Sequence, residues 1–141
     1  MRFRLMMGAL LLSVAPAFAA ETFEAELDPV PFDAVNRADV IGSIGNVTAS
    51  LDGSTLTVQG TFSNLTSPAK GGSFRIGLAK GVPGEAIGGS LTVSHAQEGT
   101  VSGSVTLSPA QVEALHRQAL YIRIDSEKAP DGNLQGWLEG K

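Results

Sequence analysis

The 141-residue chain has no cysteine, two histidines, one tryptophan and one tyrosine. Without cysteine there is no disulfide, no thiol nucleophile and no thiolate metal ligand. Zinc and copper sites gather three or four ligands on one point. His95 and His116 lie on different stretches with no His-x-His spacing, a poor start for such a site. Basic residues are scarce too, with 10 Lys and Arg against 14 Asp and Glu and a formal net charge of −4. That balance lacks the electrostatic footprint of a nucleic-acid binder and suits anionic lipid no better.

What is present starts with a leader. "MRFR" is a basic n-region, "LMMGALLLSVAP" an apolar h-region, and Ala17-Phe18-Ala19 a small-x-small cleavage signal. The apolar run falls short of the ~20 residues a membrane span needs. The expectation is a signal peptide over 1–19 cut before Ala20, and one domain over 20–141 that is periplasmic or secreted and not inserted in the membrane. Loss of Arg2 and Arg4 with the leader takes the charge to about −6. An exported chain without disulfides must be held by a core, and this length can bury one.

The rest reads as all-β, with 17 Gly, 7 Pro and short alternating runs of Val, Thr and Ser. In "NVTASLDGSTLTVQGTF", Val47, Ala49 and Leu51 alternate with polar residues, then Leu56, Val58 and Phe62 do the same. A two-residue turn at Asp52-Gly53 would pair Leu51 with Ser54 and set Ala49 opposite Leu56. "FEAEL" (23–27), "SFRIGLA" (73–79), "SLTVSH" (90–95) and "TVSGSVTL" (100–107) follow the same period of two. "VIGSIG" is weaker for its glycines, and Gly103 marks either a bulge or a close backbone approach. One stretch differs: "SPAQVEALHRQ" reads as a short helix over about 109–118. Ser108 is its N-cap, Pro109 its first residue and Gln111 the partner in a capping box. These elements predict an immunoglobulin-like β-sandwich or Greek-key barrel of seven or eight strands with one short helix.

Catalytic motifs are thin. "GGSFR" and "GGSLT" lack the strand-to-helix context of a nucleophile elbow, and "KGVPGEAIGG" lacks the Gly-Lys-Ser/Thr of a phosphate loop. Asp28, Asp33, Asp39, Asp125, Glu127 and Asp131 fall at strand ends or loops, where carboxylates are mostly solvated. Asn46-Val47-Thr48 and Asn64-Leu65-Thr66 fit a glycosylation pattern that matters only in a host that glycosylates.

The closing segment is the most informative. "LYIRIDSEKAPDGNLQGWL" (120–138) resembles the end of the CHRD domain, a module named after the extracellular protein chordin and also found in exported bacterial proteins. Tyr121, Pro130, Gly132, Leu134, Gly136 and Leu138 fit that family's tyrosine-led strand, Pro-x-Gly loop and final strand. "FEAELDPVP" is similar to its first strand, and "LSPAQVEALHRQALYIRI" to its Leu-Thr-Pro stretch, so the resemblance runs over roughly 23–138. The departures fall on polar positions. A His-x-His of many members aligns with Arg75-Ile76-Gly77, a His-Thr with Asp125-Ser126, and an acidic residue and Arg with Asn133 and Gln135.

The resemblance implies a non-enzymatic binding or structural module of the cell envelope, with no cofactor and an unknown protein or envelope component as partner. Arg75, Arg123, Asp125 and Gln135 form its candidate polar cluster, and Arg75 with Asp125 is expected to form an ion pair. The rival reading is a periplasmic metal-binding protein or metal-dependent enzyme with a superoxide-dismutase-like β-barrel, using carboxylates with His95 or His116. In the closing hairpin, Leu120, Ile122, Ile124, Leu134 and Leu138 are expected in the core. Tyr121, Arg123 and Asp125 take the other face, and "SEKAPDGN" is a wet turn.

Overall fold

The computed structural model describes residues 20–141; the expected leader lies outside them. Ten strands and two short helices follow in the order β1 (Glu21–Pro29), α1 (Arg37–Val40), β2 (Ile44–Asp52), β3 (Thr55–Ser63), β4 (Ala69–Ile76), β5 (Glu85–Ala86), β6 (Ser90–Val93), β7 (Gly99–Thr106), α2 (Pro109–His116), β8 (Leu120–Ser126), β9 (Leu134–Trp137) and β10 (Glu139–Gly140). The all-β expectation holds. Two of the strands, β5 and β10, are two residues long, and α1 is a helix that no sequence pattern announced.

Every pairing is antiparallel, in the order β5-β4-β8-β9-β1-β2-β3-β7-β6, with β10 also on β1. The sheet curls into a half-barrel, with β1 as the shared strand. Its first half pairs with β10 and its end, Asp28 and Pro29, pairs with Gln135 and Leu134 of β9. The curl brings β4 and β6 together: a Cβ at Gly72 would press on Leu91 and Val93. The core fills the concave side. Phe23, Ala25 and Leu27 point into it from β1, and Leu120, Ile122, Ile124, Leu134 and Leu138 from the closing hairpin, all buried as their alternation requires. Each large apolar side chain buried this way contributes about 1.5–3 kcal/mol.

The β2–β3 hairpin departs from its expected register. Asp52 pairs with Thr55 and Leu51 with Leu56, so the two turn residues are Gly53 and Ser54. Gly53 has φ 64° and Ser54 is not among the positive-φ residues, the pattern of a type II′ turn with glycine first. The slip is two residues, an even number, so Val47, Ala49, Val58 and Phe62 keep their inward face. At Gly103 the close-approach reading is right. The β3–β7 and β6–β7 ladders run through it unbroken, and a Cβ there would strike the Ser90 carbonyl.

Helix α2 carries the expected capping box. The Gln111 amide donates to Ser108 Oγ (3.2 Å), and the Ser108 amide to Gln111 Oε1 (2.9 Å). It buries Ala114 and Leu115 and carries the chain from β7 across to β8, which lies on the other wing of the sheet. Gln118, at φ 64°, ends the turn that follows.

Candidate functional site

Alternation sends every second residue of β4, β8 and β9 to the convex face. The register lines up Ser73, Arg123, Gln135 and Asp28 in one row, and Arg75, Tyr121 and Trp137 in the next. Tyr121 and Trp137 stack with ring centroids 4.5 Å apart. Tyr121 is buried although it faces away from the core, because the β4–β5 loop closes over it. Its hydroxyl accepts from the Gly84 amide (2.8 Å) and donates to the Gly84 carbonyl (3.1 Å). Arg75 Nε reaches the same carbonyl at 3.1 Å, and its Nη1 donates to Ser73 Oγ (3.2 Å). Glycine is required at 84, since a Cβ would strike the Ile76 carbonyl and the Gly77 Cα.

Three segments rise around this floor. The first is the β1–α1 connection, where Asp33 and Asn36 lock a turn. Asp33 Oδ1 accepts from the Val35 amide (2.7 Å) and Asn36 Oδ1 from the Asp33 amide (2.8 Å), so Asp33 is a turn former. The second is the β4–β5 loop, and the third the β8–β9 loop. Together they border a half-open cavity of about 640 Å³ with Arg75, Tyr121, Arg123 and Gln135 at its base and Val35, Pro83 and Pro130 among its walls. A second hollow of about 500 Å³ adjoins it, sharing Val30, Pro31 and Gln135 and reaching Trp137. The indole Nε1 of Trp137 is buried with no hydrogen-bond partner among the described residues.

The candidate polar cluster is therefore one neighbourhood, with one revision. Arg75, Arg123 and Gln135 line the cavity, whereas Asp125 does not. The expected Arg75–Asp125 ion pair is not formed. Asp125 binds Arg123 two residues away on its own strand, Nε to Oδ1 at 2.8 Å and Nη2 to Oδ2 at 3.4 Å. The ladder explains this, because Gly71 stands opposite Asp125 while Arg75 stands opposite Tyr121. Burial raises the Asp125 carboxyl above its ordinary value, outweighing the hydrogen bond and charge of Arg123 and the charge of Arg75, with Asp131 adding repulsion.

The β8–β9 loop is not simply a wet turn. Ser126 and Asn133 are buried, and Ser126 Oγ donates to Asn133 Oδ1 at 2.7 Å. Asn133 Nδ2 then donates to Ser43 Oγ (2.9 Å), whose hydroxyl donates to the Val40 carbonyl (2.7 Å). This chain ties the closing loop to the end of α1. Nothing in the sequence marked Ser43 as its third member.

The histidines have separate partners. His116 Nε2 lies 2.8 Å from Glu21, and His95 Nε2 lies 3.9 Å from Glu127. Among the described residues no group of three His, Cys, Asp or Glu side chains converges. No helix there is long and apolar enough to cross a membrane. Of the other carboxylates weighed from sequence, Asp39 and Asp131 line the cavity and Asp28 stands at its neighbour.

No curated protein and no solved structure matches this chain. The CHRD domain family does, over residues 23–138. That span runs from the first inward residue of β1 to the last buried leucine, and includes every strand that floors the cavity. The chain is a member of the CHRD domain family.

Proposed function

We propose that this CHRD domain is an exported binding module without enzymatic activity, which recognises a protein or another component of the cell envelope. The observation that carries the binding reading is the cavity of about 640 Å³ on the convex face. Its size falls in the range of ligand pockets, and its composition of apolar walls with a few convergent polar groups matches theirs. The polar groups at its base stand on three adjacent strands, β4, β8 and β9, which hold them more precisely than loops would. The loops that wall it are where variation tunes specificity at least cost to the fold. The proposed route out of the cytoplasm rests on the basic, apolar and small-x-small pattern of residues 1–19.

A crystallographic fragment soak tests the binding reading. Fragments should collect in the cavity between Val35, Pro83 and Pro130. Fragments seated only elsewhere, with this cavity empty at saturating soak, would remove it. Export has its own test: protein recovered from outside the cytoplasm should begin at Ala20 by intact mass. An uncut chain retained inside the cell would contradict it.

A further inference from the structure

The base of the cavity carries a cation that no carboxylate of the described residues contacts. Arg123 is taken by Asp125. Arg75 has no carboxylate within 4.0 Å among the described residues. Its two hydrogen bonds go to neutral oxygens, the Gly84 carbonyl and Ser73 Oγ. A guanidinium has five N–H donors in a planar fork. Bonds at Nε and Nη1 fix that plane and leave Nη2 unbonded among the described residues. An oriented, half-buried guanidinium with a free edge is suited to receive an oxyanion.

The walls add a second requirement. Six large apolar side chains are exposed among the described residues, and four of them, Phe32, Val35, Leu78 and Val82, lie on the two loops that flank the floor. Val35 lines the cavity itself and Phe32 the adjoining hollow, with Pro31 shared between the two. Scattered exposed apolar residues need no explanation, but Val35 and Phe32 stand with Val30, Pro31, Pro83 and Pro130 around the two adjoining hollows, which gives an entering apolar group a surface to pack on. Lys128, Asp39 and Asp131 also line the cavity; with Arg123 held by Asp125, the two remaining cations and the two aspartates balance, so the cavity offers no net positive charge to a second negative group.

We infer that the cavity binds a monocarboxylate with an apolar body. Arg75 holds the carboxylate, the valine and proline walls pack the body, and the balanced charge of the lining selects against dianions. This rests on the binding reading above.

Trp137, the chain's one tryptophan, lines the adjoining hollow and stacks on Tyr121 of the cavity base, which places its fluorescence to report on occupancy. Four probes suffice: 3-phenylpropionate, its amide, the diacid phenylsuccinate, and an N-acetylated tripeptide ending in Phe with a free carboxylate. The acid should bind saturably, with the amide and the diacid each weaker by about tenfold or more. Whichever of 3-phenylpropionate and the tripeptide binds more tightly shows whether the carboxylate belongs to a free acid or to a chain end. Arg75→Gln should erase the advantage of acid over amide, and Arg75→Lys should keep part of it. Equal binding of acid and amide by the unaltered protein overturns the carboxylate inference and leaves the binding reading standing. So does an acid preference that survives Arg75→Gln. Absence of any saturable change with all four probes, together with an empty cavity in the fragment soak, overturns both.

Discussion

Ionising Asp125 places a negative charge in a partly buried position, and burial outweighs the hydrogen bond and charge of Arg123 together with the charge of Arg75. Its folded pKa is raised above the ordinary 3.8, so over this window the folded chain holds a proton that the unfolded chain has released. The stability this group contributes is fully present below 3.8 and is lost as pH rises through the raised folded value. Most paired carboxylates behave in the opposite sense. Urea unfolding of the protein and of Asp125→Asn across that window should show the difference, original minus variant, falling as pH rises. A difference that grows with pH would mean that Arg123 dominates after all. The outward placement of Arg75, Arg123 and Gln135 was readable from period-two alternation beside buried Ile and Leu. Which acid each arginine meets was not, because partners along one strand and across two depend on register.

At the scale of elements, the closing hairpin owes its position to two unlike contacts. Its apolar face is buried through Leu120, Ile122, Ile124, Leu134 and Leu138. Its loop is fastened through Ser126, Asn133 and Ser43 to the end of α1. The first contact follows from the sequence, since alternation of large apolar residues has one sensible orientation. The second was hidden, since "SEKAPDGN" has the composition of a solvated turn and Ser43 lies ninety positions from Asn133. Asn133→Ala leaves the buried Ser126 hydroxyl without its acceptor, and the loss should be about 1–3 kcal/mol. Urea midpoints with an unchanged m value would register it. A neutral result would mean that the loop is held by its backbone bonds alone. The β2–β3 turn gives the complementary case. Asp-Gly and Gly-Ser are both good hairpin turns, and a shift of two residues preserves the faces, so hydrophobic pattern alone could not choose between them.

For the molecule as a whole, the curl of the sheet separates two tasks. The concave side is filled by the core, while the convex side of β4, β8 and β9 is left to be built over by loops. Class, family and inward residues were legible because they reside in periodicity and in the succession of motifs. The cavity was not, because its walls come from segments without periodicity, residues 30–36, 77–84 and 127–133, whose approach depends on glycine and proline geometry. The central claim is that these walls and the Arg75 row form the binding site of the domain. Amide chemical-shift mapping with 3-phenylpropionate on the isotopically labelled protein tests it most directly. Shifts should concentrate at Val35, Arg75, Gly84, Tyr121, Gly132 and Gln135, with Thr57 and Gln59 on the far wing of the sheet unmoved. Saturable shifts centred on that far wing, or no saturable shift at the Arg75 row, would contradict it.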